Sequence, residues 1–183
     1  MSISKLFRRL KKEYTFVAKG GVAYARVIGV KVGNGCRIMT KRFGNEPFLI
    51  EIGNDVTITA NVVILTHDGS TWLFRDEKGR RYAYKRVKIG NNVFIGTNSI
   101  IMPGVIIEDK VIIGAGSVVT KSIPSGSIVA GNPAKIIGSY ETYGQNVLKS
   151  NISEADFNEN ASRKESIISF ADKTEYKPVL RIL

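Results

Sequence analysis

The stretch IGNNVFIGTNSIIMPGVIIEDKVIIGAGSVV, from Ile89 to Val119, carries an aliphatic residue at every sixth position. A second register of small or apolar residues lies four positions further along each repeat, and Gly, Asn and Asp are frequent between them. A period of six fits neither an amphipathic helix nor a simple alternating strand. The first register contains Ile89, Ile95, Ile101, Ile107, Ile113 and Val119, and the second contains Val93, Ser99, Val105, Val111, Ser117 and Ile123.

A repeat of six residues can supply one short strand and one turn, so three repeats make one triangular coil of a parallel β-helix. Inward Ile and Val would stack between coils, and Gly, Asn and Asp would form the corners. The frame predicts complete coils over 52–69, 89–106 and 107–124, and a coil over 32–51 that is widened by two residues near FGNEP. The predicted fold class is therefore an all-β solenoid.

The chain divides into three predicted segments: a basic amphipathic helix over 1–19, the β-helix domain over 20–138, and a C-terminal tail over 139–183 with a helix and an irregular end. The repeat fails over 67–88, which predicts a loop excursion. The ends of a solenoid need covering, so the N-terminal helix is interpreted as a cap on the first coil or on a neighbouring subunit. Adsorption to an anionic membrane surface is the alternative. The apolar face of this helix contains Ile3, Leu6, Phe7, Leu10, Tyr14 and Val17.

Composition excludes several classes of protein. A single cysteine, Cys36, allows no internal disulfide, and one histidine with one cysteine cannot build a three-histidine zinc site, so no metal is predicted. The chain has no apolar run of about 18 residues and no secretory signal, which makes a cytoplasmic protein the expectation. The net charge of +11 is concentrated in 1–43 and 67–88, without any nucleic-acid-binding motif, so no nucleic-acid partner is predicted.

The one histidine, His67, lies at the base of the excursion. Loops that leave a rigid scaffold often carry function. His67 falls outside the inward-facing registers, which disfavours a role in the core, and an imidazole can accept and return a proton near neutral pH. His67 is therefore the candidate general base, with a surface histidine of no function as the alternative.

The motifs ILTHDGS, IGNNVFIGTNSIIMPGVII and IIGAGSVVTKSIPSGSIVAGNPAKII resemble the hexapeptide-repeat acyltransferases. The similarity covers residues 20–138 and looks greatest to the bacterial branch that O-acetylates sugars and surface polysaccharides. The resemblance implies a left-handed parallel β-helix, acetyl-CoA as co-substrate, and a homotrimer with active sites between subunits. It also implies a role in polysaccharide biosynthesis in the cytoplasm, including at the inner membrane surface if residues 1–19 contact the membrane.

The resemblance also assigns roles to individual residues. His67 would take the proton from the acceptor hydroxyl, whose oxygen attacks the thioester carbonyl directly. The backbone N–H of Thr97 would stabilise the oxyanion, which makes Thr97 a catalytic and a cofactor-binding candidate. The cofactor-binding candidates, along the pantetheine and phosphate path, are Thr97, Ala115, Thr120, Lys121 and Lys135.

Residues near His67 are predicted to bind the acceptor. The side chain of a sequence neighbour usually diverges, so Asp68 is expected to face the acceptor rather than to orient the imidazole. The aromatic residues of the excursion are predicted either to stack on a sugar ring or to pack the loop on a neighbouring subunit. The substrate-binding candidates are Asp68, Asn45 and Glu46 from the widened coil, and Trp72.

Three alternatives to a sugar O-acetyltransferase remain open at this point. An antibiotic acetyltransferase of the chloramphenicol or streptogramin type shares fold, co-substrate and histidine. An amino-sugar N-acetyltransferase needs the same base. A non-catalytic β-helix scaffold would bind no acetyl-CoA. The excess of positive charge over 67–88 favours an acidic glycan or a lipid-linked sugar phosphate as acceptor.

Overall fold

The computed structural model describes residues 3–157, 161–174 and 177. Its helices are α1 (Ile3–Ile28), α2 (Tyr140–Ser150) and α3 (Arg163–Ala171). Its strands are β1 (Lys31–Val32), β2 (Arg37–Ile38), β3 (Ile50–Ile52), β4 (Thr57–Ile58), β5 (Val63–Ile64), β6 (Arg75–Asp76), β7 (Gly79–Arg80), β8 (Val87–Ile89), β9 (Val93–Ile95), β10 (Ile100–Ile101), β11 (Ile106–Ile107), β12 (Val111–Ile113), β13 (Val118–Val119), β14 (Ser127–Ala130) and β15 (Lys135–Ser139).

The repeat forms three sheets that the chain visits in rotation. The sheets have the orders β1-β3-β8-β11, β2-β4-β9-β12-β14-β15 and β5-β10-β13, and their pairs are parallel except for β14 with β15. Consecutive strands of the repeat therefore pair one coil away and not with each other. This confirms the predicted parallel stacking of the repeats.

The register places the predicted inward residues directly above one another. Ile89 pairs with Ile107, eighteen positions further on, and both side chains are buried. The first coil is longer, because Lys31 pairs with Glu51 twenty positions further on, and residues Pro47–Leu49 form a 3-10 turn in it. The predicted widening by two residues is confirmed.

The corners explain why polar residues recur in an apolar repeat. Asp55, Asn92 and Lys110 share one corner in successive coils, and each has a φ of 55°. Left-handed backbone of this kind is adopted most readily by Gly, Asn and Asp. The backbone N–H at each corner donates to a carbonyl one coil away, as Asn92 does to Asn54 at 3.0 Å.

Helix α1 covers the first coil with its second half. The helix breaks at Gly20, close to the predicted end at residue 19, but a further helical segment continues to Ile28, so the strands begin at Lys31 and not at residue 20. Gly21 lies against the backbone of β2, where a β-carbon would overlap the Ile38 carbonyl, and Ala25 is fully buried. The segment after Gly20 therefore packs on the first coil, and the segment before it also reaches that coil through the ion pair of Glu13 with Lys41 at 2.7 Å. Residues 1–2 of the predicted helix lie outside the described residues.

The C-terminal part is helical with an irregular connection, as predicted. The chain separates into two compact units, residues 1–143 and residues 144–183. In the second unit, Ser162 and Glu165 form a reciprocal capping box at the start of α3, and Phe157 packs edge-to-face on Phe170. Residues 158–160, 175–176 and 178–183 of the predicted tail lie outside the described residues. None of the helices described is long and apolar enough to cross a membrane.

Candidate active site

His67 is held where the chain leaves the sheets after β5. The Asp68 N–H donates to the Ala83 carbonyl at 3.0 Å, and the Lys85 N–H donates to the Thr66 carbonyl at 2.8 Å. These two bonds join the beginning and the end of the excursion. The backbone of His67 is thus fixed on the rigid edge of the coil and not on a free loop.

Glu46 and Thr66 position the imidazole. His67 Nδ1 lies 2.8 Å from Glu46 Oε2, and the Thr66 hydroxyl donates to the same oxygen at 2.7 Å. Burial would raise the pKa of Glu46, but the hydrogen bonds from Thr66 and His67 outweigh it and hold that pKa below its ordinary value of 4.5. Glu46 is therefore a carboxylate at neutral pH.

The protonation of His67 follows from this partner. A carboxylate at Nδ1 accepts a hydrogen bond, so Nδ1 carries the proton and Nε2 keeps its lone pair; this tautomer is assigned from the hydrogen-bond network. Within the described residues, Nε2 has no hydrogen-bond partner. The side chain is 32% exposed, which leaves this nitrogen accessible. The arrangement is that of an oriented base with its acceptor nitrogen directed at solvent-accessible space.

Two cavities meet at His67. The larger, of about 450 Å³, lies toward the later coils, and we call it the coil cleft. The smaller, of about 170 Å³, lies under the excursion, and we call it the loop pocket. The coil cleft is lined by Leu65, His67, Asp68, Gly69, Ala83, Lys85, Met102, Pro103 and Thr120. The loop pocket is lined by Asn45, Glu46, His67, Asp68, Gly69, Thr71, Arg80, Tyr82, Ala83 and Tyr84.

The predicted cofactor residues divide between two corners of the chain. Thr120 lines the coil cleft, and the neighbouring Lys121 is exposed. Thr97 and Ala115 lie at the preceding corner, stacked on each other between the second and third sheets, and the Thr97 carbonyl accepts a hydrogen bond from the Gly116 N–H at 2.8 Å. Four residues, 98–101, separate Thr97 from Met102 on the wall of the coil cleft, and neither Thr97 nor Ala115 lines that cleft. Within one chain, Thr97 and Ala115 are therefore separate from the coil cleft.

Lys135 lies at the start of β15, paired with Ala130 and exposed. Strand β15 pairs with β14, and β14 lies one coil beyond β12, the strand that precedes Ala115. Lys135 lines neither of the two cavities at His67. The Thr97 N–H has no hydrogen-bond partner within the described residues, so it is available as a donor. A complete set of the predicted groups would require the corner of a second chain.

The predicted acceptor residues lie partly in the loop pocket. Asn45, Glu46 and Asp68 line it, but Glu46 binds His67 and so serves the base. The Asp68 carboxylate accepts hydrogen bonds from the Ser70 hydroxyl at 2.7 Å and the Ser70 N–H at 2.9 Å, which lower the pKa of Asp68. Trp72 lies outside both cavities.

Sequence reasoning missed several residues of the site. Thr66 orients Glu46, and Lys85 and Met102 line the coil cleft. Lys85 lies at the end of the excursion, so the return of the chain to His67 was the signal that could have identified it. Tyr84 belongs to the aromatic residues predicted to stack on a sugar or to pack the loop, and its ring packs edge-to-face on the His67 ring at 6.1 Å. The described residues contain no group of three or more His, Cys, Asp or Glu side chains that could hold a metal ion.

Comparisons with known proteins bear on the family of the chain. The family described as the hexapeptide repeat of succinyl-transferase matches residues 86–121. Protein CapG of Staphylococcus aureus is 45% identical over 174 residues, which is 93% of this chain and 96% of that protein. The galactoside O-acetyltransferase of Escherichia coli (strain K12) is 38% identical over 92 residues, which is 50% of this chain and 45% of that protein.

A solved structure extends the comparison to the fold. The structure of a galactoside acetyltransferase in complex with coenzyme A matches with a TM-score of 0.51 and 23% identity, covering 79% of this chain and 86% of that one. At this identity, the likeness bears on the fold alone. It implies a left-handed β-helix for the parallel sheets described above.

The repeat, the parallel sheets and these relatives identify the chain as an acyltransferase. The chain belongs to the hexapeptide-repeat acyltransferase family.

Proposed function

We propose that the protein is an acetyl-CoA-dependent O-acetyltransferase that acts on a sugar or a surface-polysaccharide precursor, with a left-handed β-helix as its scaffold. The observation that carries the proposal is the 2.8 Å contact between His67 Nδ1 and Glu46, because it leaves Nε2 as a free base between two cavities. Two cavities that meet at one base suit a transfer between two substrates. The named activity of the galactoside O-acetyltransferase relative supports the choice of a sugar hydroxyl.

The lining of the coil cleft fits the co-substrate. Leu65, Met102 and Pro103 give an apolar wall, and Thr120 and Lys85 add a hydroxyl and a positive charge at its rim. Such a mixture suits an amide-containing pantetheine arm and the phosphates beyond it. Acetyl-CoA, when bound, supplies the activated acetyl carbonyl.

The residues of the chain then account for the proton. His67 Nε2 accepts the hydroxyl proton while the acceptor oxygen bonds to the acetyl carbon, and Glu46 stabilises the imidazolium that forms. His67 returns this proton to the departing sulfur as the carbon–sulfur bond breaks, so that free thiol and acetyl ester result. The Thr97 N–H of an adjacent subunit would donate to the oxyanion.

We propose a homotrimer, the assembly that the family resemblance implies, and the division of the predicted site between two corners supports a site shared by neighbouring subunits. Thr97 and Ala115 lie on one corner and His67 and Thr120 on the next, so a neighbouring subunit related by rotation would supply the missing half. Sedimentation equilibrium should give three times the mass of the chain. A monomer that transfers acetyl groups would contradict this assembly.

The function is tested by the release of free thiol from acetyl-CoA with a panel of saccharides, an amino sugar and chloramphenicol. Transfer to a saccharide hydroxyl is the expected result, and mass spectrometry of the product distinguishes an ester from an amide. Preferential acetylation of chloramphenicol or of the amine would replace the proposal by one of its alternatives. A lack of both thiol release and protection by acetyl-CoA against heat would leave only a scaffold.

Replacing Glu46 by Gln should lower kcat by about 10–100-fold, which is part of the 10²–10⁴ that a positioned base contributes. A neutral amide no longer holds the proton on Nδ1 or stabilises the imidazolium. The Michaelis constant for acetyl-CoA should remain within about twofold, since Glu46 lies in the loop pocket and not in the coil cleft. Steady-state kinetics of Glu46→Gln beside Asn45→Ala, a neighbour in the same pocket, makes the comparison. A rise in the Michaelis constant with unchanged kcat would instead make Glu46 a substrate contact.

We propose that the protein works in the cytoplasm and that helix α1 attaches it to the membrane surface. Five large apolar side chains on one face of its first half are exposed, and Lys11, Lys12 and Lys19 are exposed on the other faces. An apolar face flanked by lysine suits an anionic bilayer. The apolar side chains are Leu6, Phe7, Leu10, Tyr14 and Val17.

The full chain should therefore sediment with vesicles that contain phosphatidylglycerol and much less with vesicles of phosphatidylcholine alone. The exposed Leu10 offers a variant that leaves the fold intact: Leu10→Glu should weaken binding by roughly tenfold or more, through lost apolar burial and added negative charge. Equal sedimentation of the variant, or no binding to either vesicle, would assign this face to a contact between subunits.

A further inference from the structure

One arginine, Arg80, lines the loop pocket, and a second, Arg75, lies beside it on the excursion. Arg75 and Arg80 stand directly opposite each other on the two-stranded ladder of β6 and β7. Like charges in this position repel each other and destabilise a hairpin. Neither guanidinium forms an ion pair with a carboxylate of the described residues, whereas the neighbouring Arg81 is paired with Asp76. The two guanidinium groups are therefore placed to share an anion, for which the described residues provide no carboxylate partner.

Aromatic rings hold these guanidinium groups in place. Arg75 lies 4.1 Å and Arg80 5.0 Å from the centre of the Trp72 ring, and Arg80 lies 4.7 Å from the centre of the Tyr82 ring. Contacts with rings use the π-face of guanidinium and leave its in-plane N–H groups free to donate. A guanidinium fixed in this way loses less entropy when it binds a carboxylate or phosphate.

Arg80 reaches the loop pocket, which connects it to the base. Arg80, Tyr82 and Tyr84 line the same 170 Å³ cavity as His67. Tyr82 and Tyr84 are stacked, with ring centres 5.9 Å apart and planes 10° apart, so they form a continuous aromatic wall from Arg80 to the imidazole. An aromatic wall of this width suits the C–H face of a pyranose.

The carboxylates of the pocket are engaged with neighbouring donors and not with Arg80. Glu46 accepts hydrogen bonds from Thr66 and His67, and Asp68 accepts them from Ser70. Within the described residues neither carboxylate forms an ion pair with Arg80, so its guanidinium is available to an anion brought by the acceptor.

We propose that the loop pocket binds an acidic saccharide, with its carboxylate or phosphate on Arg80, its ring on Tyr82 and Tyr84, and its reacting hydroxyl at His67. This inference rests on the proposed acetyl transfer and names the substrate class of that site. Arg75, opposite Arg80 on the ladder of β6 and β7, adds a second positive charge beside it.

The test uses two measurements on the full chain, so that binding and turnover are judged separately. Calorimetric titration with glucuronate, glucose 1-phosphate and methyl glucoside measures binding without any reaction. Thiol release from acetyl-CoA with the same three compounds measures transfer. The variant is Arg80→Gln. The matched control is Arg81→Gln, because Arg81 is the next residue in the chain and is already paired with Asp76.

One or both of the acidic compounds should bind more tightly than methyl glucoside, and Arg80→Gln should weaken that binding by roughly tenfold, as expected for loss of a hydrogen bond between charged groups. Arg81→Gln should change it by less than about twofold. The comparison of glucuronate with glucose 1-phosphate distinguishes a carboxylate from a phosphate. Equal affinity for all three compounds, or equal losses in the two variants, would overturn the proposal. Binding without thiol release would keep the anion site and reject the transfer.

Discussion

Replacing His67 by alanine should lower kcat by about 10²–10⁴-fold, because a positioned general base contributes that much to the rate. The enzyme would retain its binding surfaces, since the other eight residues that line the coil cleft are unchanged. Residual activity would come from the binding of both substrates and from the oxyanion donor. The measurement is thiol release from acetyl-CoA at saturating acceptor.

The alanine variant also removes the donor to Glu46, so a second variant is needed to separate chemistry from stability. Asparagine at position 67 can place an amide N–H near the Glu46 carboxylate but cannot serve as a base. Both variants should keep the protection that acetyl-CoA gives against thermal unfolding. If His67→Asn retains full activity, His67 is not the base. If both variants lose protection by acetyl-CoA, the histidine has a structural role in the cleft.

The sequence predicted those parts of the fold that depend on the period of the repeat. Ile89, Ile95 and Ile107 are buried in the expected stacks because each position is defined by the same six-residue frame. The end of the repeat was harder to predict. The six-residue frame was predicted only as far as residue 124, but β14 still pairs in parallel with β12 before the chain turns back into β15.

The site was predictable where it depended on one residue and less so where it depended on a longer-range contact. His67 was identified from the break in the repeat. Glu46 was predicted to lie near His67, as the structure shows. Its hydrogen bond to His67 Nδ1 was not predicted, because it depends on how the backbone of the widened coil turns before Pro47, which the six-residue period does not describe. The role assigned to Thr97 stays a prediction, since that residue lies at another corner of the same chain.

Replacing Ile107 by alanine should lower the free energy of unfolding by about 2–5 kcal/mol, the usual range for removing a buried isoleucine side chain. Ile107 is fully buried, stacks on Ile89 in one neighbouring coil and bridges to Ile123 in the next. The cavity left by the substitution removes apolar contacts with both neighbouring coils. Each coil contacts only its neighbours, so no distant part of the core can replace them.

The adjacent Ile106 provides the matched control, because the same substitution there removes the same atoms from a side chain that is 47% exposed. Ile106→Ala should cost less than about 1 kcal/mol, since much of that side chain is already in contact with water. Denaturant unfolding should be followed at one fixed protein concentration, because assembly adds to the measured stability. Equal losses for the two variants would mean that position 106 is buried between subunits. A small loss of unfolding free energy in Ile107→Ala would mean that burial of the inward-facing residues does not stabilise the fold. The parallel stacking derived from the six-residue period would then not be the source of stability.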